Sequence, residues 1–258
     1  MSSSRRSFMG LMALSAASPR LLSAAALRGD GSGPHRVKAL LFDGFPIFDP
    51  RPIYKQVEQM YPGQGEAFSN LWRTRQFDYQ WLRVVGKRYA NFWQATEDGL
   101  IFAAKQLKLD MNASQRAQLM QGFVEMKAWP DVLPALQTLR NAGIRLAFLS
   151  NLTEAMLAAN VRSAGLDGLF EHLISTDRIK SYKPDPRTYQ LGIDIMGLKR
   201  EEMVFVPSSG WDNAGAKWFG YRTCWINRAQ SPVEELDAAP DAMGASLEDL
   251  VRFVLPTT

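Results

Sequence analysis

Val37-Lys38-Ala39-Leu40-Leu41-Phe42-Asp43-Gly44-Phe45-Pro46-Ile47-Phe48-Asp49 is the stretch whose reading decides the fold. Five of the residues from Val37 to Phe42 are apolar, a continuous run of the kind that forms a strand buried on both faces of a parallel sheet. The run stops on a carboxylate, with Gly44 and Pro46 close behind, which predicts the C-terminal edge of a strand at Asp43. In an open α/β sheet that edge lines the crevice where ligands bind. Asp43 is therefore the first candidate for chemistry; the plainer alternative is an Asp that only opens a turn.

Outward from this strand the pattern changes twice. Residues from about Pro52 to Lys127 carry long helical spacings and many aromatics and no strand-like run, with Tyr61-Pro62-Gly63-Gln64-Gly65 breaking one helix and Trp72, Gln76, Tyr79 and Arg83 repeating at helical spacing on the next. This segment, 52–128, reads as a helical cap inserted after the first strand. Beyond it strands and helices alternate. Strands are expected at Ile144 to Leu149, Leu173 to Ser175, Met203 to Val206 and Thr223 to Ile226. Helices are expected from Pro130 to about Ala142, Glu154 to Ala164, Pro186 to Met196, Asp212 to Phe219 and Leu247 to Val254. Such alternation implies right-handed crossovers and a parallel sheet covered on both faces, so the expected fold class is α/β, with a Rossmann-like core made of 37–51 and 129–258.

The N-terminus carries Arg5-Arg6, Phe8, a short apolar run and Ala24-Ala25-Ala26, which resembles a twin-arginine export signal over residues 1–26, followed by a linker, 27–36. The expectation is a periplasmic protein, or a cytoplasmic one if the signal does not act. The apolar run is too short to span a bilayer, so stable membrane insertion is not expected. The segment holds three arginines and no acid, so without it the formal charge falls from +4 to +1. That balance gives no basic patch for nucleic acid. One cysteine, Cys224, excludes an intramolecular disulfide and a thiolate cluster. With His35 and His172 as the only histidines, a histidine triad or zinc site has almost no material, and no metal or cofactor is expected.

Four expected strands lead into polar groups: Asp43; Ser150 and Asn151; the loop to Lys183; and Ser208, Ser209 and Asp212. All strand C-termini of a parallel sheet face one way, so these groups converge on one crevice. Each alone has a plain structural reading, as a turn former, an exposed loop or a helix cap. Their convergence is what points to a site.

The residues at these edges resemble the haloacid dehalogenase superfamily and, within it, the type II (2-haloacid) dehalogenases. The matching stretches are Leu41-Phe42-Asp43, Trp72-Arg73-Thr74-Arg75-Gln76-Phe77-Asp78-Tyr79, Phe92-Trp93, Leu149-Ser150-Asn151, Tyr182-Lys183-Pro184-Asp185-Pro186-Arg187-Thr188-Tyr189 and Ser209-Gly210-Trp211-Asp212. The resemblance implies a hydrolytic dehalogenase of small 2-haloacids, with Asp43 as a carboxylate nucleophile that displaces halide and forms an ester hydrolysed by water. It implies that Lys183 keeps Asp43 ionised, that Asp212 fixes Lys183 and helps position water, and that Arg73 comes down from the cap to meet the halide with Asn151 and Phe92. It further implies that Ser150 binds the substrate carboxylate, that Tyr189 supports the active-site hydrogen bonds, that Phe45, Phe77, Phe92 and Trp211 line the substrate, and that the chain forms a homodimer; Ser209, in place of the family's water-binding asparagine, is expected to hold water through another molecule.

Three departures from the family pattern stand out. The loop after the nucleophile, normally Asp-x-Tyr-Gly-Thr-Leu-Phe-Asp, is one residue shorter here and lacks the Gly and the Thr hydroxyl. Pro207-Ser208-Ser209-Gly210-Trp211-Asp212 replaces Ser-Ser-Asn-x-Trp-Asp, so a serine and the water-binding asparagine are lost. An export signal is also unusual. Together these predict slow turnover. Two other readings stay open: a periplasmic binder of small carboxylates without turnover, and a superfamily phosphatase. The second is disfavoured because Phe45 stands where phosphatases carry their acid and the late motif offers one carboxylate, Asp212.

Overall fold

A computed structural model describes residues 37–255. The expected signal 1–26, the linker 27–36 and His35 lie outside the described residues. In chain order the elements are β1 (Ala39–Phe42), β2 (Phe48–Asp49), α1 (Arg51–Met60), α2 (Gly65–Val85), α3 (Phe92–Gln106), α4 (Ala113–Gln121), β3 (Lys127–Ala128), α5 (Val132–Asn141), β4 (Arg145–Ser150), α6 (Glu154–Ser163), β5 (His172–Ser175), α7 (Pro186–Met196), β6 (Met203–Val206), α8 (Gly210–Phe219), β7 (Arg222–Ile226), β8 (Ala242–Gly244) and α9 (Leu247–Val254), with short 3₁₀ turns between some of them.

Six strands form one parallel sheet in the order β5-β4-β1-β6-β7-β8. β1 lies at its middle, flanked by β4 and β6, and all four of its residues are fully buried. A strand in that position needs apolar side chains on both faces, which is why Ala39-Leu40-Leu41-Phe42 reads as a run and not as an alternation. Successive residues divide between two cores: Leu40 and Phe42 on one face with Phe148 and Val206, Ala39 and Leu41 on the other with Leu149, Phe205 and Tyr189.

The expected helix and strand positions in the sheet region agree with the structure to within about two residues at most ends. The sixth strand, β8, has no counterpart in the sequence reading, because Ala242-Met243-Gly244 is short, half exposed and follows the polar segment 228–241. A second addition is the antiparallel pair β2–β3, in which Phe48 faces Ala128 and Asp49 faces Lys127. It joins the chain where it leaves β1 to where it returns, so the helices α1 to α4 depart from and rejoin the sheet region at one place.

The buried apolar residues of 52–128 form a layer continuous with the core on one face of the sheet. Trp72 is 1% exposed, stands 5.4 Å from the Phe123 ring and donates Nε1–H to the Thr96 carbonyl at 2.7 Å, satisfying its polar atom inside the layer. The segment is tied to the sheet region by Asn160 of α6, whose buried amide accepts from Met126 N at 2.9 Å and donates to Phe123 O at 2.8 Å.

Candidate active site

The apolar run of β1 gives way at Asp43 to a loop that passes close to Leu152, where a Cβ on Gly44 would stand 2.6 Å from Leu152 Cδ1. Asp43 ends β1 with its carboxylate at the sheet edge, 8% exposed, opposite the ends of β4 and β6. Its Oδ1 accepts from Lys183 Nζ at 2.9 Å and from Ser150 Oγ at 3.1 Å. Its Oδ2 accepts from Ser208 Oγ at 3.2 Å and, more weakly, from Phe45 N at 3.4 Å.

Lys183 is 1% exposed, and its ammonium is the hub. It donates to Asp43 Oδ1, to Asp212 Oδ2 at 2.6 Å and to the Leu149 carbonyl at 3.3 Å, which fills its three N–H groups. Asp212, in the first turn of α8, also accepts on Oδ1 from the Tyr189 hydroxyl at 2.8 Å. That approach depends on Gly215, where a Cβ would lie 2.5 Å from the Tyr189 hydroxyl and 2.3 Å from Pro184 Cβ. Two carboxylates thus share one cation in a nearly water-free setting.

Burial alone would raise the Asp43 pKa, but the Lys183 charge and hydrogen bonds from Lys183, Gly44 and Phe45 outweigh it and hold the carboxyl below its ordinary range. Burial likewise disfavours the Lys183 ammonium, yet Asp212 and Asp43 raise its pKa above the ordinary value. Asp212 goes the other way: burial pushes it up to about 6, with the Asp43 charge adding to the rise and Lys183 and Tyr189 opposing it. At neutral pH the group is an ionised nucleophile, an ammonium and an ionised support.

Over this group lies α2. Phe77 stands 5.0 Å from Trp211, ring to ring, and Gln80, three residues on, accepts on Oε1 from Asn151 Nδ2 at 3.2 Å. The Asn151 amide is fixed on its other side, where Oδ1 accepts from Thr176 Oγ1 at 3.1 Å and from Lys183 N at 3.0 Å. Phe92 begins α3, 4% exposed. Asp43, Lys183, Asp212, Ser150, Asn151, Tyr189, Phe45, Phe77 and Trp211 therefore belong to one connected region.

The structure places several of the expected groups differently. Arg73 is exposed, and its guanidinium lies 5.5 Å from the centroid of the Tyr54 ring. There it keeps its hydration and gains the ring's negative face, where burial beside Lys183 would cost it both. Ser150 is fully buried and commits its hydroxyl to Asp43 and to accepting from Leu152 N, so it orients the nucleophile and does not face a substrate carboxylate. Tyr189, also fully buried, donates its hydroxyl to Asp212, which agrees with its expected support of the active-site hydrogen bonds and takes it out of the list of groups lining the substrate. Ser209 is the N-cap residue of α8 and makes no side-chain hydrogen bond to that helix; its neighbour Ser208 is the one that reaches Asp43. Asp212 is 1% exposed and accepts from Lys183 on Oδ2 and from Tyr189 on Oδ1, which agrees with its expected part in fixing Lys183.

Gln80 and Thr176 were not singled out from sequence. Gln80 had a usable signal, lying three residues after Phe77 and seven after Arg73 on one stripe of α2. Thr176 had none, being a hydroxyl just past a short strand. Among the described residues no group of three or more His, Cys, Asp or Glu side chains stands together as a metal-ligand set.

Comparison with known proteins places this geometry. Residues 35–220 match the haloacid dehalogenase-like hydrolase family. The chain is 38% identical over 220 residues to haloacetate dehalogenase H-2 of Moraxella sp. (strain B), covering 85% of this chain and 98% of that protein. It is 39% identical over 218 residues to the (S)-2-haloacid dehalogenase of Pseudomonas sp. (strain YL), covering 84% and 94%. Its fold is similar to the L-2-haloacid dehalogenase of Xanthobacter autotrophicus solved with chloropropionic acid covalently bound, with a TM-score of 0.78, 32% identity and coverage of 86% of this chain and all of that one.

Proposed function

Because this chain belongs to the haloacid dehalogenase-like hydrolase family, we propose that it hydrolyses small 2-haloacids to 2-hydroxy acids and halide through an ester on Asp43. The observation that carries this reading is the two-sided hold on Asp43: Lys183 and Ser150 bind Oδ1, while Oδ2 has only the longer bonds from Ser208 and Phe45 N. Oδ2 is the less engaged oxygen and the better nucleophile. It attacks C2 of the haloacid, the C–O bond forms as the C–halogen bond breaks, and the halide leaves with the bonding pair.

In the resulting ester, Oδ1 is the carbonyl oxygen and already faces an ammonium and a hydroxyl. When water adds to the carboxyl carbon, negative charge develops on Oδ1, where Lys183 and Ser150 are in place to receive it. Collapse expels the 2-hydroxy acid, whose new hydroxyl oxygen is the former Oδ2. Asp43 is restored with one oxygen from water, and one proton is released to solvent. Phe77 and Trp211 form an aromatic wall that suits the alkyl part of a small haloacid.

Arg73 takes part only by leaving Tyr54. Its position on the stripe of α2 that carries Phe77 and Gln80 supports this, and the cation–π contact it gives up is worth about 0.5–1 kcal/mol at an exposed site. We propose that an anionic substrate draws the guanidinium off Tyr54 to the departing halide.

The phosphatase reading is poorly supported because Phe45 brings a backbone N–H, not an acid, to Asp43, and an ammonium already bridges Asp43 and Asp212. The experiment that tests the proposal is halide release from 2-chloropropionate and haloacetates by the wild-type protein and by Asp43→Asn. Release by the first and not the second is expected; equal release would reject the ester route. Twin-arginine export of residues 1–26 to the periplasm is also proposed, on Arg5-Arg6 and the apolar run after them, and cell fractionation of the full chain against an Arg5→Lys, Arg6→Lys variant tests it. A homodimer is proposed from the family resemblance and is read by light scattering.

A further inference from the structure

The loop from Phe45 to Phe48 is the segment in which the sequence departs most from the family pattern, and its backbone is held in an unusual way. All four of its carbonyls accept hydrogen bonds from two residues outside the loop. Trp129 Nε1–H is shared between Phe45 O and Phe48 O, each at 3.1 Å, and Trp129 N donates to Ile47 O at 3.1 Å. Arg228 Nη2 donates to Pro46 O at 3.0 Å.

The two donors brace each other. The Arg228 guanidinium lies 4.5 Å from the Trp129 ring centroid, and both its terminal nitrogens bond the Asp131 carboxylate, at 3.0 and 2.9 Å. Asp131 in turn accepts from Leu247 N at 2.7 Å, so the brace is anchored to the start of α9. A guanidinium held at two points by a carboxylate and laid on an indole has little freedom left.

The remaining groups of the loop point inward. Gly44 O accepts from Ile47 N and Phe48 N, which closes the turn, and Phe45 N faces Asp43 Oδ2 at 3.4 Å. The link runs through peptide planes: the Ile47 and Phe48 N–H groups share planes with the clamped Pro46 and Ile47 carbonyls, and the Gly44 carbonyl that they bond shares its plane with the Phe45 N–H. We propose that Trp129 and Arg228 are positioning residues for the nucleophile, clamping the loop carbonyls so that the Phe45 N–H and the Asp43 carboxylate keep their attacking geometry without the Thr hydroxyl the family places in this loop. This rests on the dehalogenase reading, since the geometry it protects is that of Oδ2.

The test uses the whole chain with Trp129→Phe, which keeps an aromatic ring beside the guanidinium and removes the Nε1–H along with the indole's second ring, and with Arg228→Lys and Arg228→Met. Three quantities are measured: the single-turnover halide burst with a haloacid, KM, and amide hydrogen exchange of residues 44–48 without substrate. The expected result for Trp129→Phe is a burst slowed by about tenfold, the effect of one hydrogen bond on a barrier. KM should stay within about twofold, and exchange should accelerate at 44–48 while β4 and β6 keep their protection. Arg228→Lys should recover part of what Arg228→Met loses. An unchanged burst in Trp129→Phe, or a loss matched by faster exchange throughout the sheet, overturns the clamp. Absence of any burst in the wild type is a different failure: it removes the dehalogenase reading, and the exchange pattern then decides the clamp on its own.

Discussion

Lys183 Nζ donates to Asp43 Oδ1 across 2.9 Å, although the two residues are 140 positions apart in the chain. β1 and the loop before α7 meet only because the sheet is parallel and both segments emerge at the same edge. The pair is buried, so the usual weakness of ion pairs in water does not apply, and each partner is needed to make the other's charge tolerable.

Removing the cation should therefore do two kinds of damage. Lys183→Met is expected to abolish measurable dehalogenation and to lower unfolding free energy by about 3–5 kcal/mol, because Asp43 and Asp212 are left facing each other unpaired. Urea denaturation of Lys183→Met and of Lys183→Met with Asp43→Asn checks this. The double variant should be the more stable of the two.

Asp212 gives the activity an acid limb. With its pKa raised by burial to about 6, it is ionised at neutral pH and protonates below that value, taking one of the two anions away from Lys183. The pH profile of kcat should fall on the acid side near pH 6. Tyr189→Phe removes a hydrogen bond that stabilises the carboxylate, so the limb should shift to higher pH. The sign for stability is opposite in the two acids. Asp212, raised from its ordinary 3.8, takes up a proton on folding and favours the folded state as pH falls from about 6 towards 4. Asp43, held below 3.8, favours it above that value and loses the contribution as pH drops further.

Arg73 provides a sharp test of rotation into the site. Arg73→Ala is expected to lower kcat by about 10² or more, the magnitude of one preorganised charge partner in a transition state, while leaving Tm unchanged because the side chain is exposed. A kcat within about threefold of wild type would mean that Arg73 stays on Tyr54 throughout the reaction.

The core beneath the nucleophile makes a stability prediction independent of chemistry. Phe148 of β4 is fully buried, with Phe48 at 5.4 Å in a stacked pair and Phe170 at 4.2 Å. Phe148→Ala should cost about 3–5 kcal/mol in chemical denaturation, the transfer and cavity terms together.

Much of this architecture was legible from sequence because the sheet is parallel. Buried strands such as Met203–Val206 are continuous apolar runs, and the helix caps at Thr153 and Asp185 announce the helices that follow. Asp43, Lys183, Asn151 and Asp212 were readable for a related reason: Asp43 and Asn151 lie just past strand ends, and Lys183 and Asp212 lie in the segments that follow β5 and β6 at the same edge. What was not legible depends on side-chain direction. Helical spacing puts Arg73, Phe77 and Gln80 on one face of α2, a stripe that the sequence reading did not single out, and spacing does not tell that the first turns to Tyr54 while the last reaches Asn151. Of two adjacent serines, 208 and 209, only backbone geometry decides which faces the nucleophile. The support given to the loop by Trp129 and Arg228 joins residues on opposite sides of the chain's excursion through α1 to α4, with no local pattern to mark it.

The central claim is that Asp43 itself becomes the ester, and isotope transfer tests it most directly. In a single turnover with excess protein and a 2-haloacid in ¹⁸O water, mass spectrometry of the peptide containing Asp43 should show one heavy oxygen, and the 2-hydroxy acid should carry none. Label in the product hydroxyl with an unlabelled Asp43 peptide would mean that water attacks the substrate directly, and the account would be wrong.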